Sequence, residues 1–192
     1  MTLRGALAFA CVTLVAACAT TPSSVVPAHV RVEPAFTADG RMSARRGNDG
    51  VAVHFTWQHS TISDDFDVST PLGQTVARMR RDRNGVRVER PKETPENYAD
   101  WRALTTAVLG VPIPVDGLAL WIQGVAGSQA SASVERDSAG RVSLLREQGW
   151  EIVYSYGNEG TQPSRLVMTY PGSEPIEVRI VVDKLEPLRM PS

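Results

Sequence analysis

Between residues 51 and 58 the chain reads VAVHFTWQ, which places Val51, Val53, Phe55 and Trp57 on one side and Ala52, His54, Thr56 and Gln58 on the other. That period of two marks a half-buried strand. It returns in GWEIVYSY, with Trp150, Ile152, Tyr154 and Tyr156 in phase, and in IEVRIVV, with Ile176, Val178, Ile180 and Val182. Turn-forming tetrapeptides, ADGR at 38–41, GNDG at 47–50, DRNG at 82–85 and DSAG at 137–140, precede or separate such segments. Strands joined by tight turns run antiparallel, because parallel neighbours need a crossover of about a dozen residues or more.

The alternation breaks in the middle of the chain. TPENYADWRALTTAVLG carries Tyr98, Trp101, Leu104 and Val108 at helical spacing, with Thr94 placed to cap, Pro95 at the first helical position and Gly110 at the end. A shorter helix is predicted over DGLALWIQG, from Asp116 to Gly124, with Leu118, Trp121 and Ile122 on its apolar side. The prolines of VPIP between the two forbid one continuous helix. The expected fold is mainly β with two or three helices (α+β), a curved antiparallel sheet with the helices against its concave side.

The N-terminus changes the picture by adding a compartment. Arg4 is followed by GALAFACVTLVAA, thirteen uncharged residues ending in alanines, and then by Cys18, the pattern of a secretory signal peptide. The stretch is short for a mature membrane span, which needs about 20 apolar residues. Val15-Ala16-Ala17-Cys18 resembles a bacterial lipobox, cut before a cysteine that then carries acyl chains. Ala19, in place of aspartate, fits delivery to the outer membrane of a Gram-negative cell. Residues 1–17 are thus expected to be removed, and 18–35, with three prolines among small polar residues, to form a lipidated tether. Extended, the 17 residues after Cys18 would span roughly 50 Å at about 3.1 Å each. The folded domain is expected over 36–192.

Cys11 leaves with the signal, so the mature chain has one cysteine and no internal disulfide. The full chain holds 20 Lys+Arg and 21 Asp+Glu; losing residues 1–17 removes Arg4 alone and leaves a formal charge of −2. Such a balance exerts no net pull on nucleic acid or acidic lipid, and the compartment excludes nucleic acid as a partner.

Catalytic chemistry has no constellation to rest on. His29 lies in the tether, and His54 and His59 read as surface histidines. Asp64, Asp65 and Asp67 in SDDFDV lack the glycine and distal glutamate of a calcium loop and read as a solvated strand entry. No nucleophile or metal motif occurs, so neither an enzyme nor a cofactor or metal is expected. Arg78, Arg80, Arg81, Arg83, Arg87, Arg90 and Lys92, turning about Asn84-Gly85, form a solvated hairpin face, with docking to phosphate head groups or an acidic partner as the alternative. Two features remain. Trp57, Trp101, Trp121 and Trp150 all sit on apolar faces, and Leu72 occupies the bend of STPLGQT, between Pro71 and Gly73.

Taken in order, FTADGRMS, HFTW, PLG, LGVPIPVDGLALWIQG, GWEIVY and the proline before RLVMTY resemble the outer-membrane lipoprotein receptor family LolB, over most of residues 36–184. The resemblance implies an incomplete antiparallel β-barrel whose helices cover a hydrophobic cavity. It further implies a monomer, anchored through Cys18 on the periplasmic face of the outer membrane, that takes lipoproteins from the soluble carrier LolA and inserts them into the inner leaflet. Its partners would be LolA, the acyl chains of client lipoproteins and outer-membrane phospholipid. Pro71, Leu72 and Gly73 match the protruding loop to which membrane insertion is ascribed. The apolar positions expected to face the cavity are Phe55, Trp57, Phe66, Val68, Leu104, Val108, Leu118, Trp121, Trp150, Ile152 and Tyr154. The rival readings are a lipid-anchored structural or sensory module that binds a protein or glycolipid, and an enzyme acting on envelope lipid.

Overall fold

The computed structural model describes residues 31–127, 132–158 and 160–188, so the signal peptide, Cys18 and most of the tether lie outside the described residues. The first half is a meander: β1 (Phe36–Arg46), β2 (Asp49–His59), β3 (Asp64–Ser69), β4 (Thr75–Asp82), β5 (Gly85–Glu89) and β6 (Glu96–Tyr98). Two helices follow, α1 (Trp101–Leu109) and α2 (Val115–Trp121). A second meander then runs through β7 (Ser133–Arg136), β8 (Val142–Glu147), β9 (Trp150–Tyr156), β10 (Pro163–Tyr170) and β11 (Ile176–Pro187).

The strands form one antiparallel sheet in the order β6-β5-β4-β3-β2-β1-β11-β10-β9-β8-β7. The two meanders meet where the first strand pairs with the last, from Phe36↔Pro187 to Arg46↔Ile176. Edges β6 and β7 do not pair with each other, so the barrel is incomplete, and the connection between those two edges is the helical segment. One face of every long strand is buried. Phe36, Ala38 and Ala44 of β1, Phe55 and Trp57 of β2, Leu166 and Met168 of β10, and Val178 and Ile180 of β11 share a single core with the helices.

Three local expectations are overturned. ADGR is no turn: it lies inside β1, where the pairing with β11 shifts between Asp39 and Gly40. A β-bulge uses glycine for a different reason from a turn. A Cβ at Gly40 would stand 2.2 Å from the Val181 carbonyl oxygen and 2.9 Å from the Phe55 ring, so the glycine permits close approach. The first helix begins at Trp101 rather than near Thr94, because 96–98 extend as β6 against β5. Its cap is Asp100, whose carboxylate accepts from the Ala103 N–H at 2.8 Å. The acidic entry of β3 is not wholly solvated, since Asp64 is only 2% exposed.

Candidate functional site

The inner side of the sheet and the facing side of the helices enclose an apolar centre. Phe66 stacks on Trp57 with centroids 4.5 Å apart, and Trp101 at the start of α1 meets Phe66 edge-on at 5.9 Å. Phe36 closes on Trp57 from β1 at 4.9 Å. Between sheet and helices remains a void of about 20 Å³, lined by Met42, Phe55, Trp57, Phe66, Val68 and Met79 from β1 to β4, by Ile180 from β11, and by Thr105, Leu109, Ile113, Val115, Leu118 and Ile122 from the helical segment. The one polar side chain there is already engaged. Thr105 Oγ1 donates to the Trp101 carbonyl at 2.9 Å and accepts from the Ile113 N–H at 2.8 Å, tying α1 to the VPIP link.

Twenty cubic ångströms holds about one water-sized sphere, not a ligand. The hydrophobic cavity that the resemblance implies is therefore closed here by the chain's own side chains. Cavity energetics give the reason, because at about 24 cal/mol per Å³ an empty apolar hollow of several hundred Å³ would cost on the order of 10 kcal/mol. That equals the whole stability of an ordinary domain.

The cover is fastened mainly at its ends. At the C-terminal end, Trp121 Nε1 donates to Glu147 Oε2 of β8 at 2.8 Å. Gln123, 1% exposed, donates to the Glu33 carbonyl at 3.2 Å while its own Oε1 accepts from the Glu33 N–H at 2.7 Å. The carboxamide thus pairs with both backbone groups of Glu33, as a neighbouring strand would. At the N-terminal end of α2, Arg81 approaches Asp116 at 4.0 Å. The same arginine donates through Nε to Asp64 Oδ2 at 2.7 Å, while Asp64 Oδ1 accepts from Trp57 Nε1 at 3.0 Å and lies 2.6 Å from His59 Nδ1. Burial pushes the Asp64 carboxyl up, but the hydrogen bonds from His59, Trp57 and Arg81 outweigh it and hold the group below the usual carboxylate range.

Of the expected wall positions, Phe55, Trp57, Phe66, Val68 and Leu118 line the void. Leu104 is buried and Val108 half-buried on α1 without lining it. Trp121, Trp150, Ile152 and Tyr154 are buried further along, against β8 to β10. The sequence reading passed over Met42, Met79, Thr105, Leu109, Ile113, Val115, Ile122 and Ile180 as wall positions. Ile180 was legible by phase, being in step with Ile176 and Val178.

Pro71, Leu72 and Gly73 form the turn between β3 and β4. The turn is fastened by the Gly73 N–H on the Thr70 carbonyl at 2.8 Å and by the Thr70 N–H on the Gln74 carbonyl at 2.8 Å, with Gly73 at φ +81°. Leu72 is 90% exposed on this fixed bend. Folding back onto the body would have hidden it; it does not fold back.

A family model described as outer membrane lipoprotein LolB matches residues 34–184. Proteins named outer-membrane lipoprotein LolB are similar to this chain: one from Thiobacillus denitrificans is 33% identical over 162 residues, covering 84% of both chains, and one from an Azoarcus species is 34% identical over 188 residues, covering 95% of both. Among solved structures, a LolA superfamily protein from Nitrosomonas europaea superposes with a TM-score of 0.52 at 9% identity, over 83% of this chain and 88% of that one, which is a likeness of fold.

Proposed function

The chain belongs to the outer-membrane lipoprotein LolB family, and from that premise we propose that it is an outer-membrane lipoprotein that receives lipoproteins from the carrier LolA and releases them into the inner leaflet. The observation that carries the reading is the pairing of a helix-covered interior, lined by apolar side chains and one engaged threonine, with an isolated leucine held out in water on a fixed turn. Residues 1–17 serve as signal, Cys18 as the acylated anchor, 18–35 as tether and 36–192 as the working domain.

Such a carrier answers a physical need. Exposing acyl chain to water costs about 0.8 kcal/mol per methylene, so an anchor with on the order of 40 methylenes would face a barrier of roughly 30 kcal/mol if it crossed unaided. In this reading the acyl chains part α1 and α2 from the sheet. Apolar contacts between cover and sheet give way to equally apolar contacts with hydrocarbon, so the interior exchanges like for like. No bond is made or broken, and the transfer needs only a gradient of affinity. Leu72 then enters the bilayer; burying its side chain is worth about 1.5–3 kcal/mol, enough to hold the domain at the interface without making the contact permanent.

A two-stage transfer assay separates the roles. LolA loaded with a labelled lipoprotein is mixed first with this protein and then with liposomes. Leu72→Glu should accept the client as the parent does and fail to deliver it to liposomes. Equal loss at both stages would remove the case for a dedicated insertion turn, and undiminished delivery would remove Leu72 from the mechanism.

A further inference from the structure

The outer side of the sheet carries a second concavity that the acyl interior does not use. It has a volume of about 670 Å³ and is lined by Arg41, His54, Arg165 and Arg179 over a floor that includes Val167 and Val181, with Pro71 at its rim. Strand register explains the clustering. His54 stands opposite Arg41, Arg41 opposite Val181, and Val181 opposite Arg165. In the adjoining row Ala52 faces Ser43, Ser43 faces Arg179, and Arg179 faces Val167. Directly paired residues project from the same face, so two rows running across four strands set three guanidiniums and an imidazole over short apolar side chains.

No carboxylate lines this groove among the described residues. Arg41 reaches Asp183 at 2.9 Å and Arg179 reaches Glu177 at 2.9 Å, but both acids stand outside the lining. All three arginines are exposed. The three arginines and these two acids sum to +1 where the whole chain has a formal charge of −1, so the groove carries a local positive excess rather than a general one. Its position gives it an occupant: Pro71 at the rim adjoins Leu72, and whatever surface receives that leucine is brought up against the groove.

We propose that this groove is a docking surface for anionic phospholipid head groups, with Arg41, Arg165 and Arg179 meeting lipid phosphates while Leu72 enters the acyl layer beside them. It rests on the reading that Leu72 is the membrane contact, and deepens it by naming the lipid chemistry. Guanidinium is suited to the role, since its planar fork meets phosphate oxygens two at a time. Such attraction decays within a Debye length, about 8 Å at physiological salt, so it acts only once the turn has brought the domain down. The groove would then select where the domain settles and how it is oriented for release.

The test uses the chain carrying Cys18→Ala, so that no acyl anchor contributes, with sedimentation of phosphatidylglycerol and of phosphatidylcholine vesicles. Arg165→Ala/Arg179→Ala should weaken binding to phosphatidylglycerol by about thirtyfold, from roughly a factor of five for each cation near an anionic surface, and leave binding to phosphatidylcholine unchanged. Arg165→Lys/Arg179→Lys should restore most of it, which a merely damaged fold would not allow. Leu72→Glu should weaken binding to both vesicle types, and more on phosphatidylglycerol, whose charge repels the added carboxylate. Unaltered binding of the alanine variant to phosphatidylglycerol, or equal losses on both lipids, overturns the groove. Unaltered vesicle binding with slower acceptance from LolA also overturns it, in favour of an acidic carrier surface. Undiminished binding by Leu72→Glu would instead sink the insertion reading and leave the groove standing.

Discussion

Asp64 is the residue at which alternation and chemistry pull apart. It is in step with Phe66 and Val68, so the period of two turns it inward although it is a carboxylate. The fold keeps it there by supplying donors from three places: Trp57 and His59 on β2 and Arg81 on β4. An asparagine there leaves one acceptor oxygen for the three donors and removes the charge that faces Arg81. Asp64→Asn should therefore lower stability by about 3 kcal/mol, read as a fall in denaturation midpoint at unchanged slope. The sign of the pH effect follows from the depressed carboxyl. The stability it contributes is fully present above the unfolded value of about 3.9 and is lost as pH falls through the lower folded value. Acid titration should show the parent losing stability below about pH 4 and the asparagine variant lacking that component; parallel acid profiles would contradict the network. The inward phase of Asp64 was legible in SDDFDV. Its partners were not, because they are fixed by strand pairing at separations of 7 and 17 residues. Leu72 is the opposite case: proline, leucine and glycine marked the bend, and the leucine's exposure could be decided only by whether a fold lay beneath it.

At the scale of elements, strands were easier to read than the cover. The phases of β2, β9 and β11 are those expected from VAVHFTWQ, GWEIVYSY and IEVRIVV, because a half-buried strand writes its burial directly into alternate residues. The start of α1 was misplaced because Thr94-Pro95 carries helix-start chemistry, yet pairing of Val86 with Tyr98 and Val88 with Glu96 holds that stretch extended. The end of α2 shows a feature that no local motif announces. Gln123 joins the cover to Glu33, 90 residues earlier, at the mouth of the tether. The first described residues of the chain and the cover are thereby tied together. Gln123→Ala leaves the Glu33 N–H and carbonyl without those partners and should destabilise the fold by about 1–3 kcal/mol, the range for buried polar groups left unsatisfied. Amide exchange gives the more specific readout, with the Glu33 and Gly124 amides losing protection first while β1 and β11 stay protected. Protection lost evenly across the sheet would mean that the clamp serves global stability and not the cover.

For the molecule as a whole, the informative quantity is how little empty space the interior holds. The sequence could place tryptophans and aliphatics on inward faces, but the same pattern writes both a solid core and a wall awaiting a guest, and parity cannot distinguish them. What the topology adds is a cover that lies outside the strand ladder. Among the described residues, the helical segment links the edge strands β6 and β7 and lies outside the backbone ladder, so lifting it would break no strand pairs. A guest can shift that equilibrium only by its differential affinity for the lifted state. Hydrocarbon has such a difference by construction, since about 20 Å³ excludes it from the closed state altogether. Nitroxides on Asp116→Cys of α2 and Glu151→Cys on the outer face of β9 should therefore report one distance in the empty protein and a longer one when a triacylated peptide is added in excess. A peptide without acyl chains should leave the first distance in place. If the acylated peptide binds and the distance does not change, the chains occupy some other surface, and the apolar centre between sheet and helices is an ordinary core.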